Sequence, residues 1–288
     1  MKGDVDAGVQ HDIFSHFLKI CFTIMKRGYK KVSDMRLYIF DVGTIRLEKG
    51  HMTAGREMGK WITISIPAYL IVHPKATILF DTGMSMDLID KPKERWGDIA
   101  DVFIPIMKKG QDIVSQLATL GYTPDDIDIV INSHLHLDHA GNNEYFPKAT
   151  FLVQREEIRT AYYPEIFQRS GYFRADFDHP LNYVEIEGDY DVFDDGRVVC
   201  IFTPGHTQGH QSLLLNLPNT GRVMLPADVC HLKENLDLPV LPGLCWDPTL
   251  AMKQIMRFRD LREKGVKIMF GHDIEEFATY SLAPEYYD

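Results

Sequence analysis

The chain has 288 residues, 45% apolar and 25% charged, the balance of an ordinary folded globular protein. That composition excludes the disordered, collagen-like and membrane-embedded classes. A formal net charge of −10 disfavours partners rich in phosphate, nucleic acid or anionic lipid alike, although carboxylates committed to metal ions would inflate the count.

Four cysteines, Cys21, Cys200, Cys230 and Cys245, form no C-x-x-C pair, which fits reduced thiols in a cytoplasm better than a disulfide framework. The early apolar stretch from Ile13 to Met25 is interrupted by Ser15, His16 and Lys19, too short and too polar to span a bilayer. It follows Asp4, Asp6 and Asp12 rather than a basic segment, so a cytoplasmic protein without a targeting segment or stable membrane insertion is expected. Ile13, Phe14, Phe17, Leu18, Cys21, Ile24 and Met25 recur at helical spacing. They predict an amphipathic helix that packs on its own domain or on a second subunit of a homodimer; a lid over an active site is the sharper alternative. The chain thus divides into a helical extension, 1–34, and one body, 35–288.

From Met35 the pattern is that of an α/β body. Strands are predicted at Met35 to Phe40, Trp61 to Val72 and Thr77 to Phe80, the last running into Asp81-Thr82-Gly83. Gln111 to Leu120 reads as a helix stopped by Gly121. A turn at Thr123-Pro124-Asp125-Asp126 leads into a strand from Ile127 to Asn132. Later strands are Thr150 to Val153, Val198 to Phe202, Ser212 to Asn216 and Arg222 to Leu225. Asp247 before Pro248 caps a helix reaching Lys264, and a final strand, Lys267 to Phe270, delivers Gly271-His272-Asp273.

Three of the 12 histidines fall in His134-Leu135-His136-Leu137-Asp138-His139. The pattern H-x-H-x-D-H arises in about two of a thousand shuffles of this composition, so it reads as a metal motif rather than a polar loop. Side chains at i and i+2 of an extended segment point the same way, so His134 and His136 can grip one ion. Asp138 and His139, where the chain turns, can face a second. Three other strands run into His206, Asp228 and His272 in the loops that follow them. Seven candidates are too many for one tetrahedral ion and enough for two sharing a carboxylate, with ions roughly 3.5 to 4 Å apart. Imidazole and carboxylate without thiolate suit two Zn²⁺ ions, and also Fe, Mn or Co. No G-x-S-x-G, P-loop or G-x-G-x-x-G occurs, which removes serine hydrolase, NTPase and dinucleotide readings.

From Met35 onward the chain resembles the metallo-β-lactamase superfamily and, within it, the N-acyl homoserine lactonases that silence quorum-sensing signals. The resemblance rests on Leu79 to Met84, Gly121 to Asp126, Ser133 to Gly141, Thr203 to Ser212 and Phe270 to Glu275. Gly188-Asp189-Tyr190 and Lys233-Glu234-Asn235 are more particular to the lactonases. The resemblance implies an αββα sandwich in which His134, His136 and His206 hold one metal, Asp138, His139 and His272 the other, and Asp228 bridges them. It also implies attack of a metal-bridging hydroxide on a lactone carbonyl, with Asp138 carrying the proton to the leaving alkoxide. Asp81, by the same likeness, orients a ligand histidine, and Asp273 is a weaker candidate for that task; a structural hydrogen bond is expected of His210.

Two positions depart from the lactonase pattern. A Tyr commonly stands three residues after the bridging carboxylate, and here that residue is His231, read as a catalytic contact that holds the carbonyl, with a bystander role as the alternative. The residue between His136 and Asp138 is often Phe and here is Leu137. Met84, Met86, Phe103, Ile104, Ile106 and Met107 offer material for an acyl groove, although such a Met and aromatic stretch is more often plain core. Thioesterases of glyoxalase II type and organophosphate hydrolases share the implied fold and remain the alternatives, followed by mononuclear-iron dioxygenases and a metal-binding protein without activity.

Overall fold

The computed structural model describes residues 34–288, so the predicted N-terminal helix lies outside the described residues. Seven strands form one sheet: β1 (Arg36–Glu48), β2 (Trp61–His73), β3 (Ala76–Phe80), β4 (Ile104–Ile106), β5 (Ile129–Ile131), β6 (Thr150–Gln154) and β7 (Asn182–Ile186), in spatial order β4-β1-β2-β3-β5-β6-β7. Five form a second sheet: β8 (Tyr190–Asp191), β9 (Val198–Phe202), β10 (Gln211–Leu217), β11 (Gly221–Leu225) and β12 (Lys267–Ile268), in order β12-β11-β10-β9-β8. The helices are α1 (Pro92–Trp96), α2 (Ile113–Thr119), α3 (Arg155–Tyr162), α4 (Arg174–Phe177), α5 (Lys233–Asp237), α6 (Pro248–Glu263) and α7 (Ile274–Phe277).

The alternation of side chains explains the layers. In β3, Ile78 and Phe80 point to the second sheet while Leu79 points outward; in β5, Ile129 and Ile131 oppose Val130 in the same way. Between the sheets these residues meet Val198, Cys200, Leu213, Leu215, Val223 and Leu225. On the outer face of the large sheet, Leu79, Val130 and Phe151 pack with Ile113 and Leu117 of α2, Ala161 of α3 and Phe177 of α4. On the outer face of the small sheet, Ile201, Met224 and Ile268 pack with Ile255 and Phe258 of α6. The result is the αββα order implied by the resemblance. Strands covered on both faces, such as β3 and β5, consequently read as unbroken apolar runs.

Two strand ends differ from the sequence reading for local reasons. β1 continues past Phe40 to Glu48 because Asp41 and Gly43 make a bulge: the register against β2 shifts between Asp41 and Thr44, and Gly43 adopts φ +123°. β12 stops at Ile268, and Phe270 gives its N–H to the Tyr280 hydroxyl instead of to a strand. α3 is absent from the sequence reading because the face it buries, Glu157, Thr160 and Ala161, is largely polar.

The pairings β3–β5 and β11–β12 are parallel, and β9 and β11, both antiparallel to β10, run alike. Carboxyl ends of strands therefore gather at one edge of the sandwich, and the loops that leave them carry the candidate ligands. The loop after β3 is clamped to the His-rich loop: Gly141 donates to Gly83 at 2.8 Å, and a bridge joins Gly83 to Ala140. A Cβ on Gly141 would sit 2.2 Å from the Ser85 nitrogen. Gly141→Ala should therefore destabilise the protein by about 1–3 kcal/mol, read as a lowered denaturation midpoint; a wild-type midpoint would contradict this close approach.

Candidate metal centre

β3 runs into Asp81, whose φ of +58° lies in the left-handed region that Asp tolerates better than most side chains. In that pose Asp81 Oδ1 accepts the Ser133 N–H at 2.7 Å, and Oδ2 accepts the Ser133 hydroxyl at 2.8 Å and faces His139 Nδ1 at 2.9 Å. The segment after β5 runs extended through His134 and His136 and then turns, with the N–H groups of His139 and Ala140 both bonded to the His136 carbonyl. The turn separates His134 and His136 from Asp138 and His139.

Two clusters result. In the first, His136 Nδ1 lies 3.0 Å from His134 Nε2 and 2.9 Å from His206 Nε2, and Asp228 Oδ2 lies 3.3 Å from His206 Nε2. In the second, Asp228 Oδ1 lies 3.2 Å from His139 Nε2 and 3.1 Å from His272 Nε2, with Asp138 Oδ2 3.6 Å from His139 Nε2. Asp228 thus gives one carboxylate oxygen to each cluster. All seven sequence candidates are brought together. Donors each about 2.0–2.1 Å from a shared tetrahedral ion would be about 3.3 Å apart, so both clusters fit divalent cations.

The electrostatics also fit. Burial, reinforced by neighbouring imidazoles, holds His134 and His136 well below the usual imidazole pKa, and burial takes His206 down to about 4. These rings are neutral at pH 7, the form a cation needs. Burial opposes charge on His139 too, yet Asp138, Asp228 and Asp81 outweigh it and raise its pKa well above normal; His272 is raised by Asp228 and Asp138 against the same burial penalty. Asp228 is driven well below the carboxylate range, burial being overcome by His139, His231, His272 and His206. Among the described residues, no Lys or Arg pairs with Asp81, Asp138 or Asp228; only imidazoles do. His139 Nε2 is buried, aimed between Asp138 and Asp228, and makes no hydrogen bond. The cluster calls for positive charge at the two points where its donors converge.

The outer nitrogens of His134, His139, His206 and His272 are backed, whereas His136 Nε2 is buried without a hydrogen-bond partner. His206 Nδ1 donates to the Leu244 carbonyl at 2.9 Å and His272 Nδ1 to the Ser65 carbonyl at 2.8 Å, while Ser133 Oγ lies 3.0 Å from His134 Nδ1. Asp81 orients His139, as expected. Asp273 does not orient His272: it caps α7 through Glu275 and Glu276 and accepts the Lys233 N–H. The backbone carbonyls of Ser65 and Leu244 escaped the sequence reading because a carbonyl carries no residue signature.

A cavity of about 300 Å³ opens onto the clusters, with His136, Asp138, His206, Asp228, His231 and His272 in its wall. Of the six groove candidates only Phe103 lines it. Met84 is fully buried beneath the Gly43 bulge, and Ile106 is exposed on the edge strand β4. The apolar wall is instead Ile45, Met52, Ile64, Ile99, Phe103, Leu137, Phe167 and Leu244. His231 Nε2 lies 3.0 Å from Asp228 Oδ2.

His210 is no part of either cluster. Its Nε2 accepts the Asp228 N–H at 3.1 Å and its Nδ1 faces the Thr203 hydroxyl at 2.8 Å, and burial takes its pKa down to about 3. An unfolded imidazole titrates near pH 6.5, so below that pH the unfolded state takes up a proton that His210 refuses, and stability falls with falling pH. In metal-free protein, His210→Gln should reduce the loss of unfolding free energy between pH 6.5 and 4 by about 1 kcal/mol per pH unit. Parallel pH profiles of the two proteins would rule out a neutral buried His210.

Comparison with known proteins accords with this geometry. The family model of the metallo-β-lactamase superfamily matches residues 63–272. The N-acyl homoserine lactonase AttM of Rhizobium radiobacter is 36% identical over 262 residues, 89% of this chain and 100% of that protein. The N-acyl homoserine lactonase AiiA of Bacillus thuringiensis subsp. kurstaki is 35% identical over 254 residues, 87% of this chain and 98% of that one. A solved N-acyl homoserine lactone hydrolase, with the product N-hexanoyl-L-homoserine at its catalytic metal centre, aligns with a TM-score of 0.80 at 34% identity, covering 88% of this chain and 100% of that chain. The dizinc lactonase AidC, at 17% identity and a TM-score of 0.63, shares the fold. The chain belongs to the metallo-β-lactamase superfamily and, within it, to the N-acyl homoserine lactonases.

Proposed function

We propose that this protein is a two-cation hydrolase that opens the lactone ring of N-acyl homoserine lactones and releases N-acyl homoserines. The observation that carries the reading is the division of Asp228 between two clusters, one oxygen 3.3 Å from His206 Nε2 and the other 3.1 Å from His272 Nε2. His134, His136 and His206 would hold one ion, Asp138, His139 and His272 the other, with Asp228 between them. Zn²⁺ matches a donor set of imidazoles and carboxylates, with Fe, Mn or Co as alternatives. Bound there, two divalent ions supply Lewis acidity, bringing water within reach of deprotonation near neutral pH and polarising an ester carbonyl.

The chain's own groups do the rest. Asp138 lines the cavity and keeps part of its carboxylate exposed, so it can receive the proton of the attacking water and return it to the ring oxygen as that oxygen leaves. His231 stands where the lactonase pattern has a Tyr and lines the same cavity, placing an imidazole hydrogen bond within reach of the carbonyl. Its Nε2 also faces Asp228, so the two uses compete. Leu137, Phe103, Phe167 and Leu244 give the acyl tail an apolar path. Among the described residues no helix is long and apolar enough to cross a membrane. We retain a cytoplasmic location and a homodimer as part of this reading.

Purified protein with two divalent ions per chain should release acid from homoserine lactones, and act much less on thioesters and phosphotriesters. Asp228→Ala should lower lactone turnover by about 100-fold or more and lose metal with it. Preferential thioester or phosphotriester hydrolysis would overturn the substrate assignment, and full turnover in the Asp228 variant would overturn the shared-carboxylate centre. His231→Tyr should keep kcat within about tenfold, since a phenol also donates one hydrogen bond; a complete loss would show that the imidazole has another duty.

A further inference from the structure

Glu157, in the first turn of α3, belongs to no cluster described above and is fully buried. Its position would let it cap its own helix, yet its oxygens go elsewhere. Oε1 accepts the Leu135 N–H at 2.9 Å and the Tyr172 hydroxyl at 3.0 Å; Oε2 accepts the Thr207 hydroxyl at 2.6 Å, and the Gly209 N–H adds a further bond. Leu135 stands between His134 and His136, and Thr207 follows His206. Tyr172 sets its ring edge-on to His136 with centroids 4.5 Å apart, and a Cβ on the neighbouring Gly171 would come within 2.7 Å of the His136 ring. The loop with His206 also lies hard against the start of α3, since a Cβ on Gly209 would be 2.0 Å from the Glu157 nitrogen.

We propose that Glu157 is the positioning residue of the first cluster: its carboxylate ties the loop bearing His134 and His136 to the loop bearing His206, keeping three imidazoles convergent on one cation. The proposal rests on the two-cation reading. Every partner of Glu157 is a neutral donor, and among the described residues no Lys or Arg pairs with it. Burial raises the Glu157 pKa, while the four donors that converge on its oxygens favour the carboxylate, a costly way to join two loops. Its negative charge also favours a cation held by those loops. The second cluster has its own supports, Asp81 for His139 and the Ser65 carbonyl for His272. Loss of Glu157 should therefore weaken one ion and spare the other.

The test uses full-length protein loaded with Zn²⁺, with ions counted per chain and their affinities resolved by graded chelator competition. Glu157→Gln keeps the shape but turns an amide NH₂ toward donors, leaving at least one unpaired. It should weaken one of two ions by about 10–100-fold and leave the other within about twofold. Thr207→Val, which removes a single bond, should weaken the same ion by less and carries the same test if the glutamine variant fails to fold. In Co²⁺-substituted protein, the absorption change should be confined to one ion. Unchanged affinities, or equal weakening of both ions in step with a lowered melting midpoint, would overturn the positioning role. Fewer than two ions in the wild type would instead overturn the two-cation reading beneath it.

Discussion

The carboxylate of Asp228 is the joint on which the site turns. Its two oxygens are claimed by imidazoles on opposite sides, His206 and His231 at Oδ2 and His139 and His272 at Oδ1. A buried anion held ionised by imidazoles alone is costly unless positive charge fills the space between them. The same environment keeps His134, His136 and His206 neutral and pushes His139 and His272 toward protonation. Where protons are drawn to one side and refused on the other, a pair of cations satisfies both at once. That electrostatic demand links the fold to hydrolysis.

The sandwich meets this demand by strand direction. β3 and β5 in one sheet and β9, β11 and β12 in the other end at a common edge, so residues as distant in sequence as Asp138 and His272 share a pocket. The apolar layer between the sheets fixes the spacing of those ends, because close-packed side chains such as Phe80, Ile131 and Leu225 leave little freedom for sliding. Rigid backing then refines the rings one at a time, through Asp81, the Ser65 and Leu244 carbonyls, and the buried hub at Glu157.

Within this shared scaffold the chain has particular features. His231 replaces the phenol of the lactonase pattern with a second imidazole at Asp228 Oδ2, and Leu137 gives the cavity a smaller wall than the usual Phe. Both residues line the cavity beside the two clusters.

The metal motif and the seven candidate ligands were legible in the residues, because ligands that follow predicted strands leave a local trace: apolar alternation, then a turn, then His or Asp; the αββα order came from the likeness to the metallo-β-lactamase superfamily. The sequence also held the departures at His231 and Leu137, which are matters of residue identity. The cavity wall was settled only in three dimensions: the pairing of β1 with β2 sets Ile45 opposite Ile64, Met52 comes from the connection between those strands, and Met84, equally apolar, is buried beneath Gly43. Tertiary structure also decided that Asp273 caps a helix while Ser65 supports His272, and that Glu157 joins two loops. Hydrophobic periodicity reports which face of an element is buried, but not which distant segment covers that face; a contact between loops 50 residues apart, as from Glu157 to Thr207, exists only once the core has set the strand ends side by side.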